Sequence, residues 1–415
     1  MSEKLTVKNV VNINKSTLSA KDNWSTLKYL DTGNITENQI DTLQIFQKGE
    51  KLPSRAKRKV EKGTIIYSTV RPNQKHFGYC DTHSNDLVVS TGFATLDVID
   101  PRINSKYLYY LLTQNSVISQ LQSIGENSTS SYPSIRPEDI GNLSFVFPDI
   151  DIQNKIADIL TSIDKKIQIN NQINQELEAM AKTLYDYWFV QFDFPDQNGK
   201  PYKSSGGKMV YHPELKREIP EGWGVEKLGE LAQFKNGINY EKTSSGSEKV
   251  KIINVRNISS SRIFINQTDL DEIFLENDKS TNFIVNEGMI LITRSGIPGA
   301  TRLVSELEAK TVYSGFIIAS EVNDLIYKNL IFYYLKNVEE VLKNQSAGTI
   351  MKNISQSVLT DMVVSLPPQN LLLKFNSIID NLLEQMKNVQ RQNQELTQLR
   401  DWLLPMLMNG QVKVE

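Results

Sequence analysis

A chain of 415 residues, 39% hydrophobic and 23% charged, is long enough for two or three domains, each with its own core, and has the composition of an ordinary soluble protein. No apolar run approaches the roughly 20 residues that span a bilayer, the opening MSEKLTVKNVVNINKS carries no secretory signal pattern, and a lone Cys80 rules out an internal disulfide framework; no membrane association and a cytoplasmic location are expected. The balance of 46 basic against 48 acidic residues, net −2, lacks the strongly basic signature of a stand-alone nucleic-acid binder, but leaves open binding through locally placed charge.

The elements read in chain order as short strands broken by Gly, Asn and Ser clusters, starting near Trp24. A helix is expected around Tyr107 to Leu121, then a strand into Pro148, then a run of about 40 residues without Gly or Pro as far as Pro195. The same order recurs: an opening near Trp223, a helix around Leu330 to Leu342, a strand into Pro367, and a second long run to Pro405. Residues SIRPEDIGNLSFVFP and NISQSVLTDMVVSLP align without gaps 219 residues apart, placing Ile135 on Ile354 and Leu143 on Met362, and the register continues through Glu176 on Glu395 and Leu184 on Leu403. The chain is two copies of one α+β unit, each followed by a helix of about 55 to 60 Å at 1.5 Å per residue.

Both helices carry apolar residues at three- and four-residue steps. They are Ile156, Ile159, Ile163, Ile167, Leu177, Ala181, Leu184 and Trp188 in the first, and Phe375, Leu382, Met386, Val389, Leu396, Leu403 and Leu407 in the second. Each stripe requires a partner helix. The first helix leaves copy one for copy two and the second leaves copy two, so an antiparallel pair returns the chain to copy one with pseudo-twofold symmetry. Asn174 and Asn393 fall where the stripe should be apolar; either they lie on the seam as register-fixing polar residues, or the neighbouring Ile173 takes the core position. Trp188 and Trp402 read as packing anchors near the helix ends. The expected divisions are 1–149, 150–192, 193–367 and 368–410.

Catalytic motifs are sparse. Gly207-Lys208 is followed by Met209, so a phosphate-binding loop would lack its hydroxyl. Pro367-Pro368 ends a strand rather than forming an Asn-Pro-Pro-aromatic methylation motif. Glu308-Ala309-Lys310 resembles a nuclease triplet without its preceding strand acid. His76, Cys80 and His83, with Asp81, have spacings that could hold zinc, but there is no fourth ligand at a persuasive spacing and no counterpart in the second copy, so no metal and no catalytic residue are expected.

The duplicated pattern resembles the specificity subunits of type I restriction-modification systems. Its carriers are GWGVEKLGELAQFKNG, EGMILITRSGIPG, GTIMKNISQSVLTDMVVSLPP and the long helix after each copy. The resemblance implies two target-recognition domains that read a split, asymmetric DNA site, held apart by two long antiparallel coiled-coil helices that set the unread spacer. It also implies a chain with no cofactor of its own. Two modification subunits would use S-adenosylmethionine for adenine methylation, and restriction subunits would use ATP and Mg for translocation and cleavage. On that reading the candidate DNA contacts of the first copy are Arg55, Lys57 and Arg58 in the basic run KLPSRAKRKVEK, Arg71, Lys75 and His76 after the strand KGTIIYSTV, and Ser130 and Tyr132. In the second copy they are Arg256, Asn257, Arg294, Arg302, Thr349 and Lys352, with Arg71 and Arg294 as the leading base readers. The other readings are a stand-alone regulator, a coiled-coil scaffold that never touches DNA, and a single-chain restriction enzyme, which would require the catalytic motifs that the sequence lacks.

Overall fold

The chain divides into two units, one of which is discontinuous: Met1–Ile169 with Asn393–Glu415, and Asn170–Gln392. The computed structural model describes residues 4–82, 86–128, 131–240, 246–267, 269–345 and 353–414. Both long helices therefore contribute to both units.

The first unit runs Lys4–Thr6 (β1), Val7–Val10 (α1), Val11–Ile13 (β2), Thr26–Leu30 (β3), Ile35–Thr36 (β4), Gln39–Ile40 (β5), Gln44–Gln47 (β6), Ala56–Lys59 (β7), Ile65–Ser68 (β8), Phe77–Tyr79 (β9), Leu87–Ser90 (β10) and Phe93–Val98 (β11). Ser105–Leu112 (α2), Asn115–Glu126 (α3), Pro137–Gly141 (α4), Ser144–Val146 (β12) and the long Ile150–Tyr185 (α5) follow. Strand β8 is apolar on both faces, with Ile65, Ile66, Tyr67 and Ser68 all buried. It sits inside an antiparallel sheet of order β2-β11-β8-β9, while a second sheet of order β6-β3-β10-β7 contains one parallel pair, β3 with β10. Strand β1 pairs with β12, so the first strand of the unit closes on the last before the chain enters α5.

The second unit repeats this plan after a hairpin of Met209–His212 (β13) and Arg217–Pro220 (β14). Its elements are Gly224–Lys227 (β15), Leu228–Leu231 (α6), Ala232–Asn236 (β16), Glu248–Ile253 (β17), Val255–Ser260 (α7), Asp271–Leu275 (β18), Asn277–Ser280 (α8), Ile290–Thr293 (β19), Thr301–Leu303 (β20), Thr311–Tyr313 (β21) and Ile317–Val322 (β22). Lys328–Gln345 (α9), Gln356–Asp361 (α10), Val363–Leu366 (β23) and the second long helix Gln369–Met408 (α11) complete it. The sheet β16-β22-β19-β20 matches the first unit strand for strand, and β18-β17-β21 matches β6-β3-β10, including the parallel pair. Where β7 would lie there is an isolated bridge between Ile284 and Val312.

The second copy opens directly after Trp223, but the opening of the first lies ahead of Trp24. Val7 N donates to Leu143 O at 2.9 Å, and Leu228 N donates to Met362 O at 2.8 Å. Val7, Val10 and Val11 are thus the counterparts of Leu228, Leu231 and Ala232, all buried. Trp24 leads into β3 instead; the shared signal is the i, i+3, i+4 apolar spacing of VKNVV and LGELA. The expected helix over Tyr107 to Leu121 is two helices, because Gln114 is extended (φ −63°, ψ 141°), whereas α9 is unbroken.

Helices α5 and α11, 36 and 40 residues long, run antiparallel within each unit. In the first unit Ile156, Ala157 and Leu160 share a core with Leu404 and Leu407, and Asp164 meets Arg400. In the second, Asn170 meets Gln392, and Tyr185 packs on Phe375 with ring centroids 6.5 Å apart. Numbers rising on one helix meet numbers falling on the other. The first helix stops before Pro195, turning at Asp186–Val190, where Trp188 and Phe189 bury against Phe375; the second continues through Pro405 for a further turn. A proline in the last turn removes one hydrogen bond and leaves the preceding ladder intact.

The helix-packing residues sort by depth. Ile156, Leu177, Phe375 and Leu382 are buried; Ile163, Leu184, Leu396, Leu403 and Asn393 are half-buried. Asn174 is half-buried with its Oδ1 enclosed and unbonded, while Ile173 is 40% exposed. Two positions correct the expected stripe. Ile159 faces outward and Leu160 is buried in its place, because the start of α5 packs on the globular core as well as on α11, which demands a wider face than a heptad seam. Trp402 is 57% exposed and so is not the buried anchor expected, whereas Trp188 is buried.

Candidate nucleic-acid interface

One edge of the first unit is assembled by backbone hydrogen bonds between four separate segments. Thr69 N donates to Gly92 O (2.8 Å), Thr91 N to Arg55 O (2.9 Å), Arg71 N to Pro133 O (2.8 Å) and Ile135 N to Thr69 O (2.9 Å). These bonds gather Arg55, Arg71 and Tyr132, which are far apart in sequence. Arg71 is exposed and held at φ 47°, a left-handed conformation unusual for a residue with a Cβ. Its guanidinium lies 5.4 Å from the centroid of the Tyr132 ring, which is 40% exposed. An arginine resting on an aromatic face loses less rotamer freedom when it engages a base edge.

The surrounding basic residues differ in availability. Arg55 and Lys57 are exposed, and Arg58 is half-buried with its Nε enclosed and unbonded. The adjacent Lys59 is paired with Asp22 at 2.7 Å, and that hydrogen bond holds the Asp22 carboxyl down at about 2. Lys75 pairs with Glu37 at 2.6 Å. His76 Nδ1 lies 2.6 Å from Ile35 O; since a carbonyl only accepts, Nδ1 carries the proton. Ser130 lies outside the described residues.

In the second unit Arg294 stands where the first has Thr69: Arg294 N donates to Phe316 O, and Ile354 N donates to Arg294 O, both at 2.9 Å. Arg71 and Arg294 are therefore not counterparts. Arg294 is half-buried, its Nη1 donating to Gly315 O at 3.1 Å. Arg256 is held by Asp269 (2.7 Å) and Asp271 (2.8 Å). Two expectations are corrected. Asn257 is buried and serves the helix start, accepting from Asn254 N and donating to Asp269 O. Arg302 is buried and donates to Ser261 O, Thr301 O and Glu339, so its guanidinium has no free face. Thr349 and Lys352 lie outside the described residues.

Sequence reasoning also missed two residues at this edge. Phe316 is 64% exposed and Ile297 is exposed, both on turns that bond to the Arg294 segment. Exposed apolar side chains beside a basic one suit thymine methyl contact, but in sequence they read as ordinary strand and turn residues.

The remaining motifs resolve into structure. Cys80 packs against the Leu30–Val89 core, where burial pushes its thiol up to about 12, so it is protonated and a poor ligand. His83 lies outside the described residues, and among the described ones no three His, Cys, Asp or Glu residues are placed to hold a metal. Lys310 of the Glu-Ala-Lys triplet pairs with Glu248 at 2.6 Å. Among the described residues no helix is long and apolar enough to cross a membrane.

Comparison with known proteins agrees with this duplicated architecture. The family described as type I restriction modification DNA specificity domain matches residues 2–179 and 220–398. The type I restriction enzyme HindI specificity subunit of Haemophilus influenzae is 26% identical, over 92% of this chain and 94% of that one. The MjaIX specificity subunit of Methanocaldococcus jannaschii is 28% identical, over 93% of this chain and 84% of that one. In fold, the chain is similar to the crystal structure of the type I restriction-modification S subunit from M. genitalium, with TM-score 0.53, 17% identity, and 98% and 95% of the two chains covered. With both family matches falling on the two structural repeats, the chain belongs to the type I restriction-modification specificity subunits, a family of non-catalytic DNA-recognition proteins.

Proposed function

We propose that this chain reads a split, asymmetric DNA site, one half with each unit, and directs partner subunits to it in the cytoplasm. The observation that carries the reading is the assembled edge of the first unit, where Arg71 on Tyr132, with Arg55 beside it, offers a preorganised guanidinium to a base edge. In the second unit Arg294, Phe316 and Ile297 occupy the corresponding edge. Arg256, Lys57 and Arg58 serve phosphates, and the buried Asn257 and Arg302 hold the fold.

The helix pair serves as the ruler between the two half-sites. At ~1.5 Å per residue α5 spans about 54 Å, enough to bridge half-sites one helical turn, about 34 Å, apart. Ile152, Ile159, Ile173 and Met180 of α5 are exposed at heptad multiples, an apolar line that suits a helix of a modification subunit. Two modification subunits would supply S-adenosylmethionine and adenine methylation, and restriction subunits ATP- and Mg-dependent cleavage. The test is the adenine methylome of cells carrying this chain with its modification subunit, against cells lacking the chain. A split motif present only with the chain supports the reading; an identical methylome with an active modification subunit overturns it.

A further inference from the structure

The first unit contains a cavity of about 170 Å³ lined by Glu37, Lys75, Tyr110, Asp164, Arg400 and their neighbours. Its walls join Lys75, at the end of the turn that carries Arg71, to both helices. Arg71 and Lys75 flank the single turn Pro72–Gln74, and both have left-handed backbones, at φ 47° and 56°. Glu37, itself at φ 46° at the tip of the β4–β5 hairpin, is stitched to that turn twice: its N donates to Lys75 O (2.9 Å) and its carboxylate takes Lys75 Nζ (2.6 Å).

From the helices, Arg400 reaches the same carboxylate. It lies 3.6 Å from Glu37, 3.2 Å from Asp164 of α5 and 2.9 Å from Asp401, and its side chain is mostly buried. Tyr110 of α2 donates to the other Asp164 oxygen at 2.7 Å. Burial opposes the charge on Arg400, but Asp164, Asp401 and Glu37 more than offset it and hold the guanidinium protonated. One cation therefore ties three carboxylates drawn from the β4–β5 hairpin and from both helices.

Building on the DNA-reading role proposed above, we infer that Arg400 is a positioning residue. It clamps the Arg71 turn to the helix pair, and so fixes how the first unit meets its half-site and how strictly the spacer between half-sites is measured. A merely structural arginine would alter stability alone. A clamp alters spacer discrimination while leaving both half-site sequences unchanged, because Arg400 touches no base.

The experiment uses the full chain with its modification subunit in cells carrying plasmids whose half-sites are separated by the wild-type spacer or by one base pair more or less. Arg400→Met, which keeps length and loses charge, is expected to reduce the preference for the wild-type spacer about tenfold with both half-site sequences retained. Glu37→Gln moves it in the same direction by less, and Arg400→Lys restores part of it. Unchanged spacer preference in Arg400→Met, or in Glu37→Gln should Arg400→Met fail to accumulate, overturns the clamp. An altered half-site sequence overturns it too, by placing Arg400 at the DNA. If the wild-type chain directs no split motif, the DNA-reading role falls and the clamp with it.

Discussion

The two units share one scaffold and diverge at their edges. Strand order, the parallel pair at the middle of the second sheet and the closing first-to-last strand pair are common to both. The first unit adds the basic strand β7 and presents Arg71 over Tyr132. The second replaces β7 with a single bridge, puts Arg294 at the Thr69 position and exposes Phe316. The inner ladders are shared because each holds strands on both sides, while the edge strand β7 and the loop ends differ because a sheet edge and solvent tolerate change. Such divergence suits the proposed reading of two different half-sites.

The units also differ in how they are held together. The second contains the Arg302–Glu339 pair, with side chains 6% and 2% exposed, and among the described residues the first has no ion pair buried to this degree. Glu339→Gln leaves Arg302 charged and uncompensated, so it should destabilise the second unit by about 3–5 kcal/mol. Hydrogen exchange should show deprotection of β19, β20 and α9 with β8 and β11 unaffected; equal loss in both units would break the view of separable cores.

Removing seven residues from each helix shortens the pair by about 10 Å, on the order of three base pairs at 3.4 Å per step. The permitted spacer should shrink accordingly, as read from the methylated motif, with both half-sites unaltered. An unmoved spacer would sink the ruler. Arg71→Ala should relax one base position of one half-site by about 1–3 kcal/mol of discrimination, seen as degenerate methylation at that position only. Phe316→Ala should do the same in the other half-site, more weakly, by about 1 kcal/mol.

Much of the architecture was legible because it is periodic. The 219-residue offset placed Ile135 on Ile354, and both N–H groups make the same bond. The long helices and their antiparallel pairing followed from apolar spacing and connectivity. The first copy's opening was misplaced because a tryptophan, Trp24, is a louder signal than the spaced valines of α1. The edges were the least legible. Arg302 and Arg71 look alike in sequence, yet one is locked on Glu339 and the other lies on Tyr132, a difference set by partners 37 and 61 residues away. Asn170 shows the same limit. It is buried and donates to Gln392, while the more conspicuous Asn174 and Asn393 are only half-buried.

The most direct test of two units reading two halves is to map methylated adenines for the wild-type chain, Arg71→Ala and Phe316→Ala, each expressed with the same modification subunit. The expected result is a split motif whose one half degrades with the first substitution and whose other half degrades with the second. Loss confined to the same half in both variants, or a motif that neither substitution alters, would contradict it.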